Sequence, residues 1–165
     1  MENKNPIFFL DIDGVLATSF QFNTNRKNYH PVHNCYRFDK KCVGVMNDII
    51  EQTNCDIVLS SDWKLHYIRQ DMREIFAWNG LKCNLIGVTP RLPVEYYTLQ
   101  LLAEQRALEI LKYVEDHDIT NYVAVDDLPL LNWLPDNFVQ CTKIREGIKQ
   151  SGIKDKILKI LLSNL

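Results

Sequence analysis

A chain of 165 residues is long enough for one hydrophobic core and short for two. With 46% hydrophobic and 24% charged residues it has the composition of a globular domain, and a net charge of −2 excludes a global attraction to nucleic acid or anionic membrane, so any basic surface must be local. Five scattered cysteines without a C-x-x-C pair argue against a disulfide framework or zinc ribbon and suit a reducing cytoplasm, and no apolar run approaches the roughly eighteen residues of a membrane span.

In chain order, Ile7 to Leu10 is an apolar run stopped by Asp11, too short for a signal peptide and read as a buried strand. A long irregular segment from about Ala17 to Asp39 follows, expected to form a flap or insert within a single domain spanning residues 1–165. Cys42, Met46, Ile49 and Ile50 recur at helical spacing, and Ile57 to Leu59 reads as a strand ending at Ser60. Asp62 is placed as the N-cap of a helix that starts at Trp63 and ends at Asn79-Gly80. A strand at Leu85 to Ile86, a helix carrying Ala107, Ile110, Leu111 and Val114, and a strand at Tyr122 to Val125 before Asp126 come next. A fifth strand at Asn137 to Cys141 and a closing helix with Ile153, Ile157, Ile160 and Leu161 complete the chain. Strands alternating with helices predict an α/β fold whose parallel sheet is covered on both faces, with its ligand crevice beyond the carboxyl ends of the strands.

Those ends bring Asp11 and Asp13, Ser60 and Ser61, and Asp126 and Asp127 to one edge. Four carboxylates there repel one another unless a cation lies between them, and hard oxygen ligands without clustered His or Cys favour Mg²⁺. Phosphoryl transfer needs the parts this edge can supply. Asp11, at the rigid strand end, is able to attack phosphorus and form an aspartyl-phosphate. Asp13, on the same side of an extended chain, is the natural general acid and later base, and Gly14 permits a sharp turn. Ser60 is able to donate its hydroxyl to phosphate, and either Arg106 or Lys64 to neutralise the transferred group.

The motifs carry a resemblance. FFLDIDGVL resembles the first motif of the haloacid dehalogenase (HAD) superfamily, VLSSDWK its second and VAVDDLP its fourth, in the family's order and spacing. DxDGVL, IVLSSDWK, GVTP, RALEI and AVDD together are similar to the HAD phosphatase modules of RNA-repair (Swiss Army Knife) proteins, over roughly Ile7 to Asp127. The resemblance implies a three-layer Rossmann-like fold with a mainly parallel five-stranded sheet and a minimal cap. It further implies Asp11 as nucleophile and metal ligand, Asp13 as general acid/base within the metal site, Ser60 as phosphate donor, Arg106 in the third motif, and Asp126 with Asp127 as the remaining Mg²⁺ acids.

Blander readings stand beside these. Acids after strands cap turns, Ser60 or Ser61 caps the following helix, and Arg106 pairs with Glu109 as an exposed helical arginine does. A calcium loop at DIDG fails because its glycine comes too early and Phe22 occupies the place of the bidentate Glu. His30, His33, Cys35 and Cys42 match no familiar zinc spacing.

The expected function is thus Mg²⁺-dependent phosphomonoester hydrolysis. A catalytically silent binding module and a phosphotransferase are the alternatives. The stretch between Asp13 and Ser60 is too short for a separate cap domain, and an open site suits a large substrate. Arg26, Lys27, Arg37, Lys40 and Lys41 oppose a single Asp39 and are interleaved with Phe20, Phe22, Tyr29, Tyr36 and Phe38, a pattern that suits single-stranded nucleic acid.

Overall fold

The computed structural model describes residues 5–18, 29–93 and 99–163. Five strands, β1 (Ile7–Leu10), β2 (Asp56–Leu59), β3 (Leu85–Val88), β4 (Tyr122–Asp126) and β5 (Phe138–Gln140), form one sheet in the order β3-β2-β1-β4-β5. Every pairing is parallel. Four α-helices connect or follow them: α1 (Lys40–Thr53), α2 (Arg69–Trp78), α3 (Leu99–Asp116) and α4 (Ile153–Leu162).

The two-residue period of β1 explains the layering. Phe8 and Leu10 point into a core shared with Cys42, Met46 and Ile49 of α1, Met72 and Ile75 of α2, and Ile157 and Leu161 of α4. Ile7 and Phe9 point the other way, onto Ala103, Ala107 and Ile110 of α3 and onto Leu130 and Leu134. A sheet buried on both faces needs strands that are apolar throughout, as IFFL is. The three-layer α/β arrangement expected from the alternation is therefore present.

The helix expected from Trp63 to Asn79 is divided. A 3₁₀ turn over Asp62–Leu65 is capped by Ser61, whose Oγ accepts from the Trp63 amide at 3.4 Å, and α2 begins only at Arg69. Asp62 is thus not the N-cap: it lies inside the turn, where its carboxylate is available to another partner. Asn79-Gly80 does end α2, with Gly80 at φ +77°.

Within the irregular segment, Phe20, Phe22, Arg26 and Lys27 lie outside the described residues. Its described end returns through a bridge between Tyr29 and Tyr36 to Asp39, whose carboxylate accepts from the Lys41 and Cys42 amides and caps α1. Among the described residues no helix is long and apolar enough to cross a membrane.

Strand order reverses between β1 and β4: the chain steps outward from β1 to β2 and β3, then returns to the other side of β1. In open α/β sheets this is where the crevice for a ligand forms.

Candidate active site

Register places the acids at that reversal. Leu10 stands opposite Val125, so the next residues, Asp11 and Asp126, emerge side by side at the carboxyl ends of β1 and β4. The Asp11 amide still donates to Val125 O at 3.1 Å, which keeps Asp11 on the frame of the sheet. The chain then turns tightly: Ile12 O accepts from both the Leu16 and Ala17 amides at 2.9 Å. Gly14 sits in this turn at φ +76°, and a Cβ there would lie 2.8 Å from Asp127 Oδ2. The sequence suggests a glycine that permits a sharp turn; the structure shows it also making room for the Asp127 carboxylate.

Asp11, Asp126 and Asp127 each offer a carboxylate oxygen, and the three atoms lie within 4.8 Å of one another. The expected set of four carboxylates is thus a triad here, with Asp13 apart from it. Asp13 lines the same cleft, but its oxygens accept from the Tyr36 hydroxyl at 2.5 Å and the Trp63 indole N–H at 2.9 Å. Those two donors fix the plane of an otherwise exposed carboxyl.

Arg106 is the cation of the triad. Its Nη1 donates to Asp126 Oδ2 at 2.7 Å and to Ser60 O at 2.8 Å and lies 3.2 Å from Asp11 Oδ1, while Nη2 donates to Asp62 Oδ1 at 3.0 Å. It is 7% exposed. Burial disfavours its charge, yet the carboxylates of Asp126, Asp11 and Asp62 outweigh that and hold it firmly protonated. The pairing with Glu109 considered from sequence does not occur. Glu109 instead receives Lys64, whose Nζ also donates to Thr89 Oγ1 at 2.9 Å and Pro90 O at 3.1 Å. Arg106 therefore faces the acids, and Lys64 is bound elsewhere on the wall of the cleft.

The two serines divide their tasks. Ser60 offers Arg106 its carbonyl, and its buried hydroxyl has no hydrogen-bond partner among the described residues. Ser61 lines the cleft, its Oγ accepts from the Trp63 amide, and its hydroxyl is near enough to Asp11 to favour the ionised carboxylate.

One guanidinium does not neutralise three carboxylates. Burial pushes the Asp11 carboxyl up to about 6, against the opposing pull of Arg106 and Ser61 and with Asp127 adding to the rise. Asp126 is raised well above the usual range by burial and by Asp11, and Asp127 is raised chiefly by burial. Such a set ionises fully only with further positive charge, and its all-oxygen donors suit Mg²⁺. The residues present therefore fit the ion.

The cleft spans about 620 Å³, far more than a phosphate group needs, and beyond the acids its walls include Leu65, Leu92, Leu102 and Leu128. Of the basic and aromatic residues expected to meet nucleic acid, Phe38 is buried against Trp63 and Phe76, and Arg37 lies 3.9 Å over the Trp78 ring. Lys40 and Lys41 are exposed at the start of α1.

Compared with known families, residues 7–151 match the model for the HAD domain in Swiss Army Knife RNA repair proteins. No curated protein and no solved structure matches the chain.

Proposed function

The chain belongs to the HAD domain family of Swiss Army Knife RNA repair proteins, and from that premise we propose that it is a Mg²⁺-dependent phosphomonoesterase with Asp11 as its nucleophile. The observation that carries this reading is the buried triad of Asp11, Asp126 and Asp127 bridged by Arg106 at the strand-order reversal.

In the first step a carboxylate oxygen of Asp11 attacks phosphorus, the bond from phosphorus to the ester oxygen breaks, and Asp13 gives its proton to the departing alkoxide. In the second step Asp13 takes a proton from water as that water attacks the aspartyl-phosphate, which frees inorganic phosphate and restores Asp11. Mg²⁺ held by Asp11, Asp126 and Asp127 would supply charge neutralisation at the phosphoryl oxygens. Arg106 opposes the rise that burial imposes on Asp11 and so favours the ionised form that attacks. Its contacts to Asp126, Asp62 and Ser60 O hold the guanidinium in place before substrate arrives, so little reorganisation is needed during reaction. Tyr36 and Trp63 position Asp13, and Ser61 favours the ionised form of Asp11.

For substrate, the reading extends to the phosphorylated end of a nucleic acid. Support comes from the family's RNA-repair setting, from a cleft with room for a leaving group, and from the exposed Lys40 and Lys41. The test is a panel with Mg²⁺: an aryl phosphate, 3′- and 5′-phosphorylated oligonucleotides, mononucleotides and a phosphopeptide. Hydrolysis of the aryl phosphate supports the phosphatase; equal rates across the rest would defeat the nucleic-acid assignment.

A further inference from the structure

Among the described residues three cations line the cleft: Lys64, Arg91 and Arg106. Two are already engaged. Arg106 is held by Asp11, Asp126 and Asp62, and Lys64 is paired with Glu109 in a nearly solvent-free position. Arg91 is exposed and has no hydrogen bond or ion pair with any described residue.

Its backbone, by contrast, is anchored on both sides. Pro90 O accepts from Lys64 Nζ at 3.1 Å. The Leu92 amide donates to Glu109 Oε1 at 2.9 Å, and Leu92 O accepts from Gln105 Nε2 at 2.8 Å. Gln105 Nε2 also donates to Glu109 Oε1 at 2.9 Å, closing the network onto α3, while the Thr89 amide donates to Leu59 O at 3.0 Å and ties the segment to β2. A buried ion pair is costly to build, and this one does not touch the carboxylate triad. What it does touch is the main chain either side of Arg91. The result is a guanidinium without a partner among the described residues, presented from an anchored segment on the wall of the cleft that Asp11, Asp127 and several leucines also line.

We propose that Arg91 is a specificity residue that binds the phosphodiester next to the phosphate being removed, so that the enzyme reads a nucleic-acid end as two successive phosphates. This rests on the phosphatase reading above. A guanidinium pairs with phosphate oxygens in a bidentate, charge-assisted geometry, and Leu92, Leu102 and Leu128, which line the same cleft, suit a less polar sugar and base. A phosphopeptide offers no second phosphate at a fixed spacing.

The experiment uses short oligonucleotides with a terminal phosphate, in separate 3′ and 5′ series. The adjacent linkage is either the natural phosphodiester or a neutral methylphosphonate. The wild-type protein should favour the charged linkage by about tenfold or more in kcat/KM, the size expected for a charge-assisted contact. Arg91→Gln should bring that ratio close to one, and Arg91→Lys should leave an intermediate ratio. The neutral-linkage substrate monitors intact folding and chemistry in each variant. The same ratio is measured as equilibrium binding to Asp11→Asn and to Asp11→Asn/Arg91→Gln, so that a failure of turnover counts against the phosphatase reading while binding still decides the role of Arg91. A wild-type ratio near one in both series, a ratio that survives Arg91→Gln, or a phosphopeptide bound or turned over better than either oligonucleotide would overturn the proposal.

Discussion

Arg106 Nη1 donates to Asp126 Oδ2 at 2.7 Å, and this contact joins α3 to the end of β4 across the floor of the cleft. Because both groups are buried, removing one leaves the other's charge without compensation. Arg106→Ala should destabilise the metal-free protein by about 3–5 kcal/mol at pH 8 and lower turnover by roughly 10²- to 10³-fold. The destabilisation should shrink at pH 5, where the raised acids are able to protonate. Urea denaturation at the two pH values checks this; an equal loss at both would mean that the acids are not electrostatically linked to Arg106.

Asp13 presents a different case, since two neutral donors rather than a cation hold it. Tyr36→Phe removes one donor and keeps the ring. We expect turnover of an alkyl phosphate to fall about tenfold, the weight of one hydrogen bond to a charged group. An aryl phosphate with a stable leaving group needs little proton donation and should lose much less. Equal losses on both would show that Tyr36 does not act through Asp13.

The pH dependence of Mg²⁺ stabilisation follows from Asp11. Its folded value of about 6 exceeds the ordinary 3.8, so its contribution to stability is complete below about 3.8 and is lost as pH rises through about 6. Metal-free protein should therefore melt at lower temperature at pH 7 than at pH 5 through this group. Mg²⁺, by favouring the ionised acids, should raise the melting temperature more at pH 8 than at pH 5. A thermal shift that is larger at pH 5, or independent of pH, would contradict the metal assignment.

Much of this site is legible in the sequence, for identifiable reasons. Asp11 and Asp126 follow apolar runs, and in a parallel sheet a residue just past a buried strand must lie at the carboxyl edge. Neighbouring strands then bring such residues together without further information. Residues that act from a distance are not legible. Tyr36 reaches Asp13 across 23 positions and Trp63 across 50, and neither interval follows from a helical or strand period. The 3₁₀ turn hides the true place of Asp62, because a helical pattern continuing from Trp63 to Asn79 conceals a break at residues 66–68. Helical spacing on α3 pairs Glu109 with Arg106, yet that local preference loses to Lys64, whose ammonium would otherwise be buried unpaired.

That ion pair gives a prediction of its own. Burial lowers the Lys64 pKa against the opposing pull of Glu109, so the pair holds only while both members remain. Lys64→Met alone should cost about 3–5 kcal/mol, whereas Lys64→Met with Glu109→Leu should recover most of the loss. Additive losses in the double variant would show that the pair is not coupled.

Covalent phosphorylation of Asp11 is the step on which the proposed chemistry depends, and the most direct measurement is rapid acid quenching during turnover of an aryl phosphate with Mg²⁺, followed by peptide mass spectrometry. Wild-type protein should carry an acid-stable, alkali-labile phosphoryl group on the peptide containing Asp11, and Asp11→Asn should show neither that adduct nor phosphate release. Phosphate release that survives in Asp11→Asn would contradict the assignment of Asp11 as nucleophile.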